Sequence, residues 1–230
     1  MWFAKISGVT NFDAALSIDV SSEFAIGVII DDIKDVRSKS KFDARRIFAN
    51  VEHCVKIAEI SPTNLDEIFD AIETCQPDLM QINGDFFDDM NNLISLQSIA
   101  TIPIIGSISL DKETLQSNII NPDPLLAIQE LAPYVSVVNI NLPLATSWKS
   151  QKKKTEIIEL VTKIKDTIHN PLIIGGGLNT SNAGNIIQAL TPNAVDVSSG
   201  VEKISGIKNP ELMQDFLETV FDYKTFLKGV

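Results

Sequence analysis

Two glycine-rich turns near the end of the chain carry the clearest chemistry in the sequence. The first, Ile173-Ile174-Gly175-Gly176-Gly177-Leu178-Asn179, reads as a strand running into a turn and then a helix. The second, Val195-Asp196-Val197-Ser198-Ser199-Gly200-Val201-Glu202, closes what reads as the last strand. Glycine lets the main chain approach a ligand closely and take φ > 0. The N–H groups freed in such turns, with the positive end of a following helix, make an anion site. Gly176, Gly177, Ser198, Ser199 and Gly200 are therefore the candidate phosphate-binding residues. A lone Gly-Gly-Gly is more often a plain turn, but two such turns on consecutive final strands point to a phosphorylated small molecule.

The elements that would position these turns alternate along the whole chain. Apolar β-type runs are predicted at Phe3–Ser7, Ala25–Ile30, His53–Glu59, Leu79–Asn83, Ile102–Ile108, Val135–Asn141, Pro171–Gly175 and Ala194–Val197. Helical periodicity lies between them: Leu65-Ile68-Ile72 behind a Thr63 or Asn64 N-cap, Ile157-Ile158-Val161-Ile164, Asn182-Ile186-Ile187-Leu190 and Leu212-Phe216-Val220. Strand followed by helix implies a parallel sheet with right-handed crossovers. Eight such units close a barrel, and barrel enzymes frequently hold phosphate on the loops after strands seven and eight. The expected fold is thus α/β, a single (β/α)8 TIM barrel over residues 1–230 with a short tail or helix extension at about 222–230. An open doubly wound sheet competes, but no glycine-rich loop follows the first strand. Leu142–Lys154 reads as an extended loop after strand six, with Lys152-Lys153-Lys154 as a solvated run opening the next helix.

Composition narrows the partners. A net charge of -11 argues against nucleic acid, whose phosphates such a surface repels. Two cysteines and two histidines suit neither a disulfide framework nor a metal site. His53 and Cys54 read as packing at the stability face of the barrel. No apolar run is long enough for a bilayer, and the Met1–Lys5 opening reads as mature, cytoplasmic protein.

The two turns resemble signature segments of the phosphoribosylanthranilate isomerase family of tryptophan biosynthesis. Lys5-Ile6-Ser7-Gly8-Val9-Thr10 is similar to the family's Lys-Ile-Cys-Gly-Ile-Thr opening, and Gln81-Ile82-Asn83-Gly84-Asp85 resembles its fourth strand. Asp43-Ala44-Arg45-Arg46-Ile47 resembles the start of its second helix, which implies Arg37 as the arginine for the substrate carboxylate. The likeness spans residues 3 to about 220. It implies an Amadori rearrangement of an aminoaldose to an aminoketose, with Gln81 and Asn83 at the substrate, no metal and no cofactor, in a monomer or homodimer.

The same resemblance puts Ser7 at the position of the family's cysteine base. Asn141 stands at the aspartate acid, with Asn139 as the other register, and Asn83 stands where histidine is usual. A serine hydroxyl is almost never ionised unaided, and an amide gives up no proton near neutrality. The sequence therefore implies an isomerase of impaired rate. The alternatives are a non-catalytic phosphosugar-binding barrel, or another phosphosugar enzyme using Asp31, Asp32, Asp35 or Asp85.

Overall fold

Strands that are apolar at nearly every position need cover on both faces, and this chain supplies it by following every strand with a helix. The structure, a computed structural model, describes residues 3–119 and 121–228. Eight parallel strands form the barrel: β1 (Ala4–Ile6), β2 (Phe24–Ile29), β3 (Val55–Ile60), β4 (Leu79–Ile82), β5 (Ile104–Ser109), β6 (Val137–Asn141), β7 (Leu172–Gly175) and β8 (Ala194–Val197). They pair in chain order, and β1 also pairs with β8, Lys5 opposite Asp196, which closes the ring. The (β/α)8 expectation is met.

The surrounding helices are α1 (Phe12–Leu16), α2 (Lys41–Phe48), α3 (Leu65–Cys75), α4 (Met90–Ile99), α5 (Pro124–Leu131), α6 (Leu144–Ser147), α7 (Gln151–Thr167), α8 (Ala183–Leu190) and α9 (Pro210–Lys228). Their starts follow ordinary capping chemistry. Asn64 accepts from the Glu67 N–H, Ser40 from Asp43, and Asp123 caps a helix that begins with Pro124. A two-stranded hairpin, β9 (Glu202–Ile204) and β10 (Ile207–Lys208), stands between β8 and α9. It turns at Gly206.

Three expectations need correcting or bounding. Leu142–Lys154 is not an extended loop: it folds into α6, and α7 begins at Gln151 behind a Ser150 cap. The lysine run opens that helix, with Lys152 and Lys153 near Glu156, and Lys154 over the Trp148 ring. His53 and Cys54 precede β3 rather than begin it. Cys54 is buried and its thiol donates to the Ile18 carbonyl, while burial first and then the nearby Asp19 charge push its pKa up to about 12. The last helix runs through the expected tail as far as Lys228; residues 1–2 and 229–230 lie outside the described residues.

Alternation along each strand sorts side chains into two cores. One set, including Ala4, Ile6, Ile26 and Val28, packs under the helices. The other fills the barrel and is zoned by height. Ala25, Ile57, Ile105, Val137, Ile173 and Ala194 make a separate buried apolar cluster. Two residues further along the same strands stand Gly27, Glu59, Ser107, Asn139, Gly175 and Asp196, joined by Lys5 and Gln81. The side chains of that layer are polar and buried. Gly27 makes room for it: a Cβ there would lie 1.9 Å from Glu59 Oε1 and 2.9 Å from Lys5 Cε.

Candidate active site

The polar layer forms the floor of the C-terminal mouth, where barrel enzymes work. Lys5 is fully buried, and its ammonium donates to Gln81 Oε1 at 2.6 Å and to Asp196 Oδ2 at 3.3 Å. It also stands 3.3 Å from Glu59 Oε1. The Gln81 amide reaches Glu59 Oε2 at 3.3 Å and Asn83 Oδ1 at 3.0 Å. Ser7 Oγ donates to Asp196 Oδ1 at 2.6 Å. Asn141 adjoins this group through Gly175, where a Cβ would lie 2.7 Å from Asn141 Oδ1 and 3.3 Å from Asp196 Cβ. Asn139, fully buried, lies within the floor two residues before Asn141 and donates to Ser107 at 2.9 Å. Asn141 is the asparagine of β6 that reaches the mouth.

Burial pushes the Glu59 carboxyl up from its ordinary pKa; Lys5 opposes the shift and the Asp196 charge adds to it. No shielding partner completes it, since Glu59 Oε1 accepts no hydrogen bond among the described residues.

The rim over β7 and β8 is built from main chain. Gly176 takes φ 97°, a conformation open to few other residues. A Cβ there would also lie 1.9 Å from the Leu142 carbonyl oxygen, so the chain entering α6 demands a glycine independently of any ligand. Gly177 stands against Ala145. The turn at Ser199–Val201 packs on Leu178 and Asn179, which brings both predicted phosphate turns side by side. The N–H groups of Gly177, Ser199 and Gly200 make no hydrogen bond among the described residues.

A chain of charges ties this rim to the loop after β2. Glu202 accepts from Arg37 Nε at 2.7 Å and from Lys208 Nζ at 2.9 Å. Lys208 also donates to the Ser198 carbonyl at 3.0 Å. Burial alone would raise the Glu202 pKa, but Lys208, Arg37 and the Gly206 N–H outweigh it and hold it below the usual range. Arg37 is held on its other side by Asp35 at 2.8 Å and packs over Gly8 beside Ser7. Its Nη2 makes no hydrogen bond among the described residues.

An open cleft of about 920 Å³ lies over the ends of β2, β3 and β4, lined by Asp31, Asp32, Lys41, Ser61, Asn83 and Asp85 among others. Asn83 belongs to both cleft and floor. The floor residues Lys5, Glu59 and Asp196 escape the sequence reading as side chains, although each is a charge inside a mostly apolar strand. Among the described residues no group of three His, Cys, Asp or Glu side chains is arranged to hold a metal, and no helix is long and apolar enough to cross a membrane.

The fold matches solved isomerase barrels. One, a phosphoribosylanthranilate isomerase from Thermotoga maritima, superposes with a TM-score of 0.76 at 24% identity, covering 96% of this chain and 100% of that one. The family model for N-(5'-phosphoribosyl)anthranilate (PRA) isomerase matches residues 151–219, the segment that carries both glycine turns. Relatives named N-(5'-phosphoribosyl)anthranilate isomerase match along nearly the full length. That of Methanocaldococcus jannaschii is 26% identical over 94% of this chain and 95% of its own. That of Haloferax volcanii is 24% identical over 93% and 90%.

The chain is similar to phosphoribosylanthranilate isomerases along nearly its full length.

The matched model covers both glycine turns and the floor residue Asp196, while Lys5, Arg37, Glu59, Gln81 and the chain entering α6 lie outside the matched residues.

Proposed function

We propose that the protein rearranges N-(5'-phosphoribosyl)anthranilate to its carboxyphenylamino-deoxyribulose phosphate, an Amadori step of tryptophan biosynthesis, and does so slowly. The observation that carries this reading is the full-length family match to a barrel whose polar floor, arginine and two glycine turns meet at one mouth. In this reading the turns at Gly176, Gly177, Ser198, Ser199 and Gly200 hold the phosphate, with the free N–H groups of Gly177, Ser199 and Gly200 as donors. Arg37, oriented by Asp35 and Glu202, offers Nη2 to the anthranilate carboxylate. Gln81 and Asn83 line the ribose.

Ring opening needs a proton donor and the next step a proton acceptor. Ser7 stands at the acceptor position and Asn141 at the donor position, and neither titrates near neutrality. Each missing group costs roughly 10²–10⁴-fold in rate. The protein works as one barrel domain in the cytoplasm, as a monomer or homodimer.

The test follows loss of substrate fluorescence with freshly prepared phosphoribosylanthranilate. Wild type is expected to turn over slowly, and Asn141→Asp and Ser7→Cys to gain, most together. Failure of wild type and all variants to act, with no rescue of a tryptophan auxotroph lacking this step, would overturn the reading. The substituted acid and base favour a second reading, a phosphosugar-binding barrel without turnover. Calorimetric binding of phosphorylated sugars by a catalytically silent wild type would select it.

A further inference from the structure

The barrel floor holds two carboxyls and one ammonium away from water. Lys5, Glu59 and Asp196 are 0%, 4% and 7% exposed. With both acids ionised the cluster would carry an uncompensated negative charge in a poorly solvated site, and one retained proton removes it. The two acids are not equivalent. Asp196 receives the Ser7 hydroxyl at 2.6 Å and the Lys5 ammonium at 3.3 Å. Glu59 Oε1 has the Lys5 charge at 3.3 Å but no hydrogen bond among the described residues. Ser7, like Lys5, opposes the upward shift of Glu59. The groups facing Glu59 are Lys5 and Ser7 from β1, Gln81 from β4 and Asp196 from β8, with the Lys208 charge further out. The proton therefore rests on Glu59, and the serine hydroxyl is pointed at Asp196.

We propose that Asp196 is the terminal proton acceptor of this site, reached through Ser7, and that the Glu59 carboxyl is a positioning residue that keeps the companion proton. The proposal rests on the isomerase reading. In the opened-ring iminium, the C–H bond on the carbon next to the iminium carbon breaks. That proton passes to Ser7 Oγ as the hydroxyl's own proton passes to Asp196 Oδ1. The electron pair forms the new C=C bond, and the iminium π pair settles on nitrogen, giving a neutral enamine. Ser7 begins and ends as a hydroxyl, so it never has to ionise, which answers the chemical objection to serine at this position.

Two measurements separate the proton-sharing pair from its use. Isotope-edited carboxyl NMR of the whole protein needs no substrate and compares wild type with Glu59→Gln, Asp196→Asn and Ser7→Ala, the first two nearly isosteric. One glutamate resonance is expected to titrate well above the others, to vanish in Glu59→Gln, and to move down in Asp196→Asn. Acids that titrate with the rest and ignore each other's removal would overturn the pair. In turnover of phosphoribosylanthranilate, Asp196→Asn should lose about 100-fold or more of kcat with KM held within about threefold. Glu59→Gln should lose the upper inflection of the kcat–pH profile. Full kcat in Asp196→Asn removes Asp196 from the reaction while the isomerase reading stands. A wild type without turnover overturns that reading and Asp196's role together, and the NMR still decides the pair.

Discussion

Glu202 on the rim and Glu59 on the floor are nearly closed to solvent, with side chains 5% and 6% exposed, and both lie near a lysine, Glu59 at the more deeply enclosed site. Their pKa values move in opposite directions, down for Glu202 and up for Glu59. Burial penalises both. Glu202 answers it with two cations and a backbone N–H, at 2.7, 2.9 and 3.1 Å. Glu59 has one cation at 3.3 Å, which it shares with Asp196. Fewer and more distant donors at a deeper site leave Glu59 able to hold a proton, where Glu202 is a structural anion. The rim is built to stay put and the floor to exchange.

The rim's rigidity has the largest expected consequence. Gly176→Ala combines a strained φ with a collision at the Leu142 carbonyl, and should cost about 3 kcal/mol or more in urea unfolding. A small effect would mean the chain entering α6 yields, and that the rim is softer than described. Next comes Glu202→Gln, which strands Arg37 and Lys208 and should cost about 2–3 kcal/mol at neutral pH. Because the folded pKa of Glu202 is lowered, its contribution is complete above the unfolded value and disappears as pH falls through the folded one. The gap between wild type and this variant should close on acidification. Glu59→Gln should show the reverse and the smallest effect. A raised folded pKa favours the folded state at low pH, and that advantage is lost as pH rises from the unfolded value through the folded one. Wild type should fall relative to Glu59→Gln on going alkaline, with a slope of at most about 1.4 kcal/mol per pH unit. Parallel curves for the two proteins would erase the contrast between rim and floor.

The same division marks what could be read from the sequence. The barrel follows from alternation of apolar runs with helical periods, and both glycine turns announce themselves within a few residues. Ser7 and Asn141 could be singled out because each sits in a contiguous motif. The Ser7–Asp196 bond joins residues 189 positions apart, and it exists only because β1 pairs with β8 in one register. Glu59 left a local trace, an acid in the run Val55-Lys56-Ile57-Ala58-Glu59-Ile60, but its neighbours come from three other strands. α6 leaves no such trace: it is a single turn of four residues whose Pro143 start has no side-chain cap, too short to show a period.

Gly27 and Glu59 bind each other's history. With Glu59 present, β2 cannot regain a side chain at that height, because a Cβ would stand 1.9 Å from the Glu59 carboxyl oxygen. With a small residue at 59 the worst of that collision goes, and only the flexible Lys5 side chain, its Cε at 2.9 Å, has to shift. Gly27→Ala is thus harmful on one genetic background and tolerable on the other, so the order in which a lineage accepts the two changes is constrained. A descendant that discards the floor carboxyl first and then fills position 27 has no single-step way back.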